Sequence, residues 1–90
     1  MLPLPEHLTL QNAPQVLQNL QAQMATRKGA VQLDAGALRD IDSVVLAVLL
    51  ACRRSADARR QSFSVHRAPA RLIDLAELYG VQELLALHAG

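Results

Sequence analysis

The feature that most constrains the fold is an uninterrupted apolar run from Val44 to Cys52. Its nine residues are fewer than half of the roughly 20 that a bilayer-spanning helix needs, so the run predicts a helix inside a soluble domain. A helix that is apolar on every side is normally buried on every side. A domain of 90 residues covers only part of such a helix, so we expect a partner protein to cover the remainder.

Composition narrows the class of protein. Nine basic against eight acidic residues give a net charge of +1, which argues against nucleic acid as a partner. Cys52 is the only cysteine, so the chain has no internal disulfide and no cysteine-based zinc site. The segment Met1–Pro5 lacks the basic residues and the continuous apolar stretch of a secretory signal. We therefore expect one cytoplasmic domain over residues 1–90, without direct membrane insertion.

Hydrophobic periodicity and turn residues predict alternating strands and helices. The first ten residues contain two prolines and form at best a short edge strand. A helix follows, which is capped by Asn12, has Pro14 in its first turn and ends before Gly29. The next predicted elements are a strand at Ala30–Asp34, a loop at Ala35–Asp40 and a helix from Ser43 to about Asp57. The remaining ones are a strand at Ser62–His66, a helix from Pro69 to Gly80, and a last helical turn or two within Val81–Gly90. This order predicts an α/β domain with a small mixed sheet of about four strands and three to four helices packed against it.

Motifs that would support catalysis are missing. The chain has no glycine-rich phosphate loop and no His-Glu-x-x-His, and its three histidines are scattered. Asp34, Asp40 and Asp42 bracket one loop, but a strand end and a helix cap explain two of them better than a metal site does. We therefore expect no enzymatic activity, no cofactor and no metal.

The pair Asp42-Ser43 stands directly before the apolar run. Either side chain is suited to accept hydrogen bonds from the first free N–H groups of the helix. The same helix end also tolerates negative charge, so Ser43 is a possible phosphorylation site.

Arginines are concentrated in one part of the chain. Six of them fall between Arg53 and Arg71, where Asp57 is the only acid. Binding of single-stranded nucleic acid uses interleaved aromatic residues, and this stretch contains only Phe63. We expect the arginines to form a solvated rim that can meet an acidic partner.

Three segments resemble the STAS domain, the fold of anti-sigma-factor antagonists. These segments are Leu33-Asp34-Ala35 followed by Ile41-Asp42-Ser43-Val44-Val45-Leu46, the strand around Ser64-Val65, and the stretch from Leu72 to Val81. The resemblance covers roughly residues 6 to 88. Its closing Leu-Ala-x-Leu-Tyr-Gly-Val pattern is most similar to the MlaB type within the family.

The resemblance implies a non-catalytic accessory subunit that binds the ATPase of a bacterial ABC transporter, which moves phospholipid to maintain outer-membrane asymmetry. It implies a peripheral position on the inner face of the inner membrane. The alternative is an anti-sigma-factor antagonist that a serine kinase switches by phosphorylating Ser43. The residues expected to bind the partner are Asp42, Ser43, Val44, Leu46, Ala47 and Leu50.

Overall fold

The computed structural model describes all residues from Met1 to Gly90. Three helices and six short strands follow one another along the chain. In order they are β1 (Leu2–Pro3), β2 (His7–Leu8), α1 (Ala13–Ala25), β3 (Val31–Asp34), β4 (Asp40–Ile41), α2 (Val44–Ala58), β5 (Phe63–Ala68), α3 (Ala70–Leu78) and β6 (Leu87–Ala89). The predicted α/β fold is confirmed.

The main sheet has four strands in the order β1-β3-β5-β6, and every neighbouring pair runs parallel. The expected mixed sheet is thus parallel throughout, and β2 and β4 form a separate parallel pair. Each crossover advances in the same direction across the sheet, so right-handed connections place all three helices on one face. Leu33 and Val65 are opposed in the ladder and fully buried towards the helices, whereas Gln32 is exposed on the other face.

The chain before α1 is held by Asn12. Its side-chain oxygen accepts a hydrogen bond from the Thr9 N–H at 3.0 Å, and its amide donates to the His7 carbonyl at 2.7 Å. Asn12 therefore occupies the predicted cap position but stabilises the preceding turn instead of the helix. Pro14 lies in the first turn of α1, as predicted, where N–H groups have no acceptor within the helix and a missing one costs little.

Two predicted segments, the loop at 35–40 and the helical end of the chain, differ from the structure. The predicted loop 35–40 ends in β4, because Asp40 and Ile41 pair with His7 and Leu8. The last ten residues form one helical turn, in which the Leu85 N–H donates to the Val81 carbonyl at 3.1 Å. The chain then becomes the edge strand β6, so Leu87 belongs to a strand and not to a helix.

The core is aliphatic, as expected from a chain with one Phe, one Tyr and no Trp. All 22 buried residues are apolar, and Cys52 is among those with no exposed surface. None of the helices combines the length and the hydropathy that crossing a bilayer requires.

Candidate functional site

The start of α2 is built around the carboxylate of Asp42. Its Oδ1 accepts a hydrogen bond from the Val44 N–H at 3.0 Å, which satisfies one of the free donors of the helix end. Its Oδ2 accepts a second bond from the Leu10 N–H at 3.2 Å. One side chain therefore caps α2 and also fixes the turn before α1 against the beginning of α2.

Ser43 takes the N-cap position, but its side chain makes no capping hydrogen bond. Its backbone has right-handed helical angles, φ −62° and ψ −16°, whereas an N-cap that bonds its own helix is usually extended. The residue is exposed. Of the two capping candidates in the sequence, Asp42 performs the task, and the hydroxyl of Ser43 is left free at the surface.

The helix α2 is less exposed than its sequence predicts. Val45, Leu49 and Cys52 face the core and are fully buried. Leu46 is only 5% exposed, so we withdraw it from the predicted partner-binding residues. The predicted contacts that remain accessible on the helix are Val44, Ala47 and Leu50, of which Ala47 is exposed and the other two are half-buried.

An open apolar groove of about 420 Å³ separates the beginning of α1 from α2. Its lining consists of Leu10, Ala13, Pro14, Leu17, Val44, Ala47, Val48, Ala51 and Arg54. Leu10 stands at its edge with 74% of its surface exposed, the highest value among the large apolar residues after Leu78. Because the Leu10 N–H is bonded to Asp42, this exposed side chain lies beside the first turn of α2.

Only the side of this groove that α2 forms was predicted from the sequence. The predicted site contains only residues near the start of α2, and the contribution of Leu10, Pro14 and Leu17 comes from a segment about 30 residues earlier in the chain. The available signal was Leu10, a large apolar residue between two polar neighbours, directly before the predicted start of α1.

The three aspartates considered for a metal have separate partners. Asp34 makes two hydrogen bonds to Arg67, at 2.9 and 2.8 Å, and Asp40 bonds the His7 ring at 2.8 Å. The Arg67 guanidinium, together with the Gly36 N–H, lowers the pKa of Asp34. No group of three or more His, Cys, Asp or Glu side chains is arranged to hold a metal ion.

Cys52 points into the core from α2. Burial raises the pKa of its thiol to about 11, because the charged thiolate is poorly solvated there. Because the thiol has so high a pKa and no exposed surface, we expect it to be unreactive in the folded protein.

Comparison with models of known protein families gives a match over most of the chain. The model of the family described as "Mlab, STAS domain" matches residues 1–86, which include both sides of the groove and all of the helices. No curated protein matches the chain. The chain therefore belongs to the STAS domain family and is MlaB-like, which supports a small accessory or anti-sigma-antagonist-like role of a generally non-catalytic kind.

Proposed function

We propose that this protein is a non-catalytic accessory subunit that binds the ATPase of a bacterial ABC phospholipid transporter, one that maintains outer-membrane lipid asymmetry. The observation that carries the proposal is the apolar groove between α1 and α2. Single exposed leucines are normal on soluble proteins. Here, however, Leu10 from the turn before α1 and Val44 and Ala47 from α2 line the same groove and form a continuous apolar surface. The match to the MlaB-type family supports the choice of partner.

The shape and chemistry of the groove suit an amphipathic helix of the ATPase. Such helices dock by placing a stripe of apolar side chains into a groove between two elements. Arg54 lies at one end of the groove and takes part in no ion pair, so it is available to a carboxylate on the partner. Bound in this way, the protein is peripheral to the inner face of the inner membrane and does not itself enter the bilayer.

Ser43 lies next to Val44 at the rim of this surface. Its hydroxyl forms no cap, so we expect it to exchange one hydrogen bond with the partner. A charge at this position loses water when the partner docks, and an unpaired charge in a desolvated interface weakens binding strongly. Ser43→Asp is therefore expected to reduce binding of the ATPase far more than Ser43→Ala.

The decisive experiment is a pull-down of the ATPase with Ala47→Arg and Ala58→Arg. Both alanines are exposed on α2, and arginine is nearly as good a helix former as alanine, so both variants should fold. Only Ala47 lines the groove, and we expect Ala47→Arg to lower the affinity about 100-fold, since it places an unpaired charge in the contact. Ala58→Arg should bind normally. Unchanged binding by a folded Ala47→Arg would place the interface elsewhere.

A second function is favoured by one observation, the exposed and unbonded hydroxyl of Ser43. A kinase can reach this group, and a phosphate there would lie near the positive end of α2, although beside the carboxylate of Asp42. The function is then that of an anti-sigma-factor antagonist regulated by a serine kinase. Mass spectrometry of the protein from its native host distinguishes the two: stoichiometric phosphate on Ser43 supports the switch, and its absence with a co-purifying ATPase supports the transporter subunit.

A further inference from the structure

The arginines that are close in sequence are dispersed by the fold. Arg53 pairs with Asp57 at 3.4 Å, and Arg67 pairs with Asp34. Arg71 donates to the Ile41 carbonyl near the opposite end of α2. Only Arg59 and Arg60, at the end of α2, remain together and without an ion pair or a side-chain hydrogen bond.

These two arginines join two cations from another part of the chain. The Gln61 side-chain amide donates to the Arg27 carbonyl at 3.0 Å, and the Val31 N–H donates to the Ser62 carbonyl at 2.8 Å. These bonds hold the loop after α1 against the loop after α2. The basic end, which we define as Arg27, Lys28, Arg59 and Arg60, is therefore a surface of four exposed cations, none of which is in an ion pair.

The backbone of Arg60 is in a conformation that a side chain disfavours. Its φ is +57°, and the Gln61 N–H closes the helix end by bonding the Ala56 carbonyl at 2.9 Å. The helix α3 ends in the same way, but there the left-handed residue is Gly80 with φ +71°. Glycine is the usual residue at this position because it has no Cβ. The chain thus keeps an arginine where glycine would make the fold more stable.

A role in helix stability does not account for this arginine. Cations near the carboxyl end of a helix interact favourably with its dipole, but Arg59, with φ −101°, already supplies one without left-handed strain. Positive φ does not by itself indicate a function, since Arg67 and Ala86 adopt it too, but the Arg67 side chain pairs with Asp34, whereas that of Arg60 has no partner in the chain. The charge of Arg60 is thus best explained by something that binds to this end of the molecule.

We infer that the basic end is a contact surface for an anionic lipid bilayer. Its four cations are exposed and in no ion pair, so they are available to the charges of lipid headgroups. Phe63 lies close to this end but is half-buried against the core, so the surface presents no exposed aromatic side chain to stack on bases, and it has no large apolar anchor of the kind that specific protein interfaces normally have. The surface begins at Arg59, five residues or about 8 Å along α2 beyond Arg54 at the near end of the groove, so a helix confined to the groove leaves the four cations accessible.

Binding by four cations alone is weak but measurable. At roughly a factor of five for each Lys or Arg near an anionic surface, half of the protein is bound at about 1 mM accessible lipid. The test is sedimentation of the full chain, without ATPase, with vesicles of phosphatidylglycerol and phosphatidylcholine or of phosphatidylcholine alone. We expect binding only to the anionic vesicles and its loss at high salt, because the Debye length then falls to a few ångströms.

Two variants separate this surface from general charge and from folding. Arg60→Gly should lower vesicle partitioning about fivefold and at the same time raise the melting temperature by about 2–5 °C, because it removes the left-handed strain. Arg71→Gln removes an exposed cation at the opposite end and should leave partitioning within about twofold of wild type.

Three results would overturn the inference. The first is unchanged partitioning of Arg60→Gly, and the second is an equal loss with Arg71→Gln. The third is tighter binding to polyglutamate or to single-stranded RNA than to anionic vesicles at the same concentration of charge, which would assign the basic end to an acidic macromolecule. Because the ATPase is absent, each result is independent of the groove and of the partner proposed for it.

Discussion

The two adjacent residues at the start of α2 should respond very differently to truncation. Asp42→Ala removes the cap bond to Val44, the bond to Leu10 and a negative charge near the positive end of the helix. Loss of a cap costs about 1 kcal/mol, and the second hydrogen bond and the charge together add about 1 kcal/mol more. Ser43→Ala removes no hydrogen bond from the folded protein and should change the free energy of unfolding by less than about 0.5 kcal/mol.

Urea denaturation followed by circular dichroism measures both changes. At roughly 4–8 °C per kcal/mol for a domain of this size, Asp42→Ala should also melt about 10 °C below wild type, and Ser43→Ala within about 3 °C. Asp42→Asn is the matched control, since it keeps an acceptor oxygen and loses only the charge and one bond. If Ser43→Ala destabilises the protein as much as Asp42→Ala does, the assignment of the cap to Asp42 is wrong.

Three further predictions follow from the ion pair, the thiol and the core. The pKa of Asp34 is lowered by Arg67, so this pair stabilises the fold fully above the unfolded value of 3.8, and the contribution is lost as the pH falls through the lower, folded pKa. The melting temperature of Asp34→Asn should therefore lie below that of wild type at pH 7, and the difference should shrink as the pH falls below 3.8; a difference independent of pH would contradict this. Cys52, with a pKa of about 11 and no exposed surface, should not react with a disulfide reagent at pH 8 until urea unfolds the protein, and rapid labelling of the native chain would show that α2 opens. Leu49→Ala should lower the free energy of unfolding by about 3 kcal/mol in urea denaturation because Leu49 is fully buried, whereas Leu10→Ala should lower it by less than about 0.5 kcal/mol. Equal losses would mean that Leu10 is buried in the folded protein and does not form an open edge of the groove.

Stability and vesicle binding should be opposed to each other at the basic end of this protein. Most substitutions lower the stability of a protein or leave it nearly unchanged. At Arg60 the two properties should move in opposite directions, because the side chain serves an external contact while its backbone is strained. A variant that is more stable and binds less is difficult to explain by damage to the fold.

Local patterns in the sequence determined the helices and the two central strands. The apolar spacing and Pro14 predict α1, Asp42-Ser43 followed by the apolar run predicts α2, and Gly80 marks the end of α3 at the left-handed position that it occupies. These signals are local, because a helix bonds residues four apart and its caps lie within one turn. The alternation of elements was sufficient for the α/β class, and the segments around Asp42-Ser43, Ser64-Val65 and Leu72–Val81 together indicated the family.

Only the tertiary structure decided which side chains face outwards and which residues meet. The run from Val44 to Cys52 is apolar on every side, but packing against the sheet and against α1 buries Leu46 and leaves Ala47 exposed. The strand at Leu87 is three residues long and forms by pairing with β5, so no local period announces it. The position of Leu10 beside α2 depends on its hydrogen bond to Asp42, 32 residues later, and the basic end depends on Gln61 reaching Arg27, 34 residues away. Contacts between distant segments depend on how the whole chain packs, and hydrophobic periodicity reports only the positions that share one face of one element.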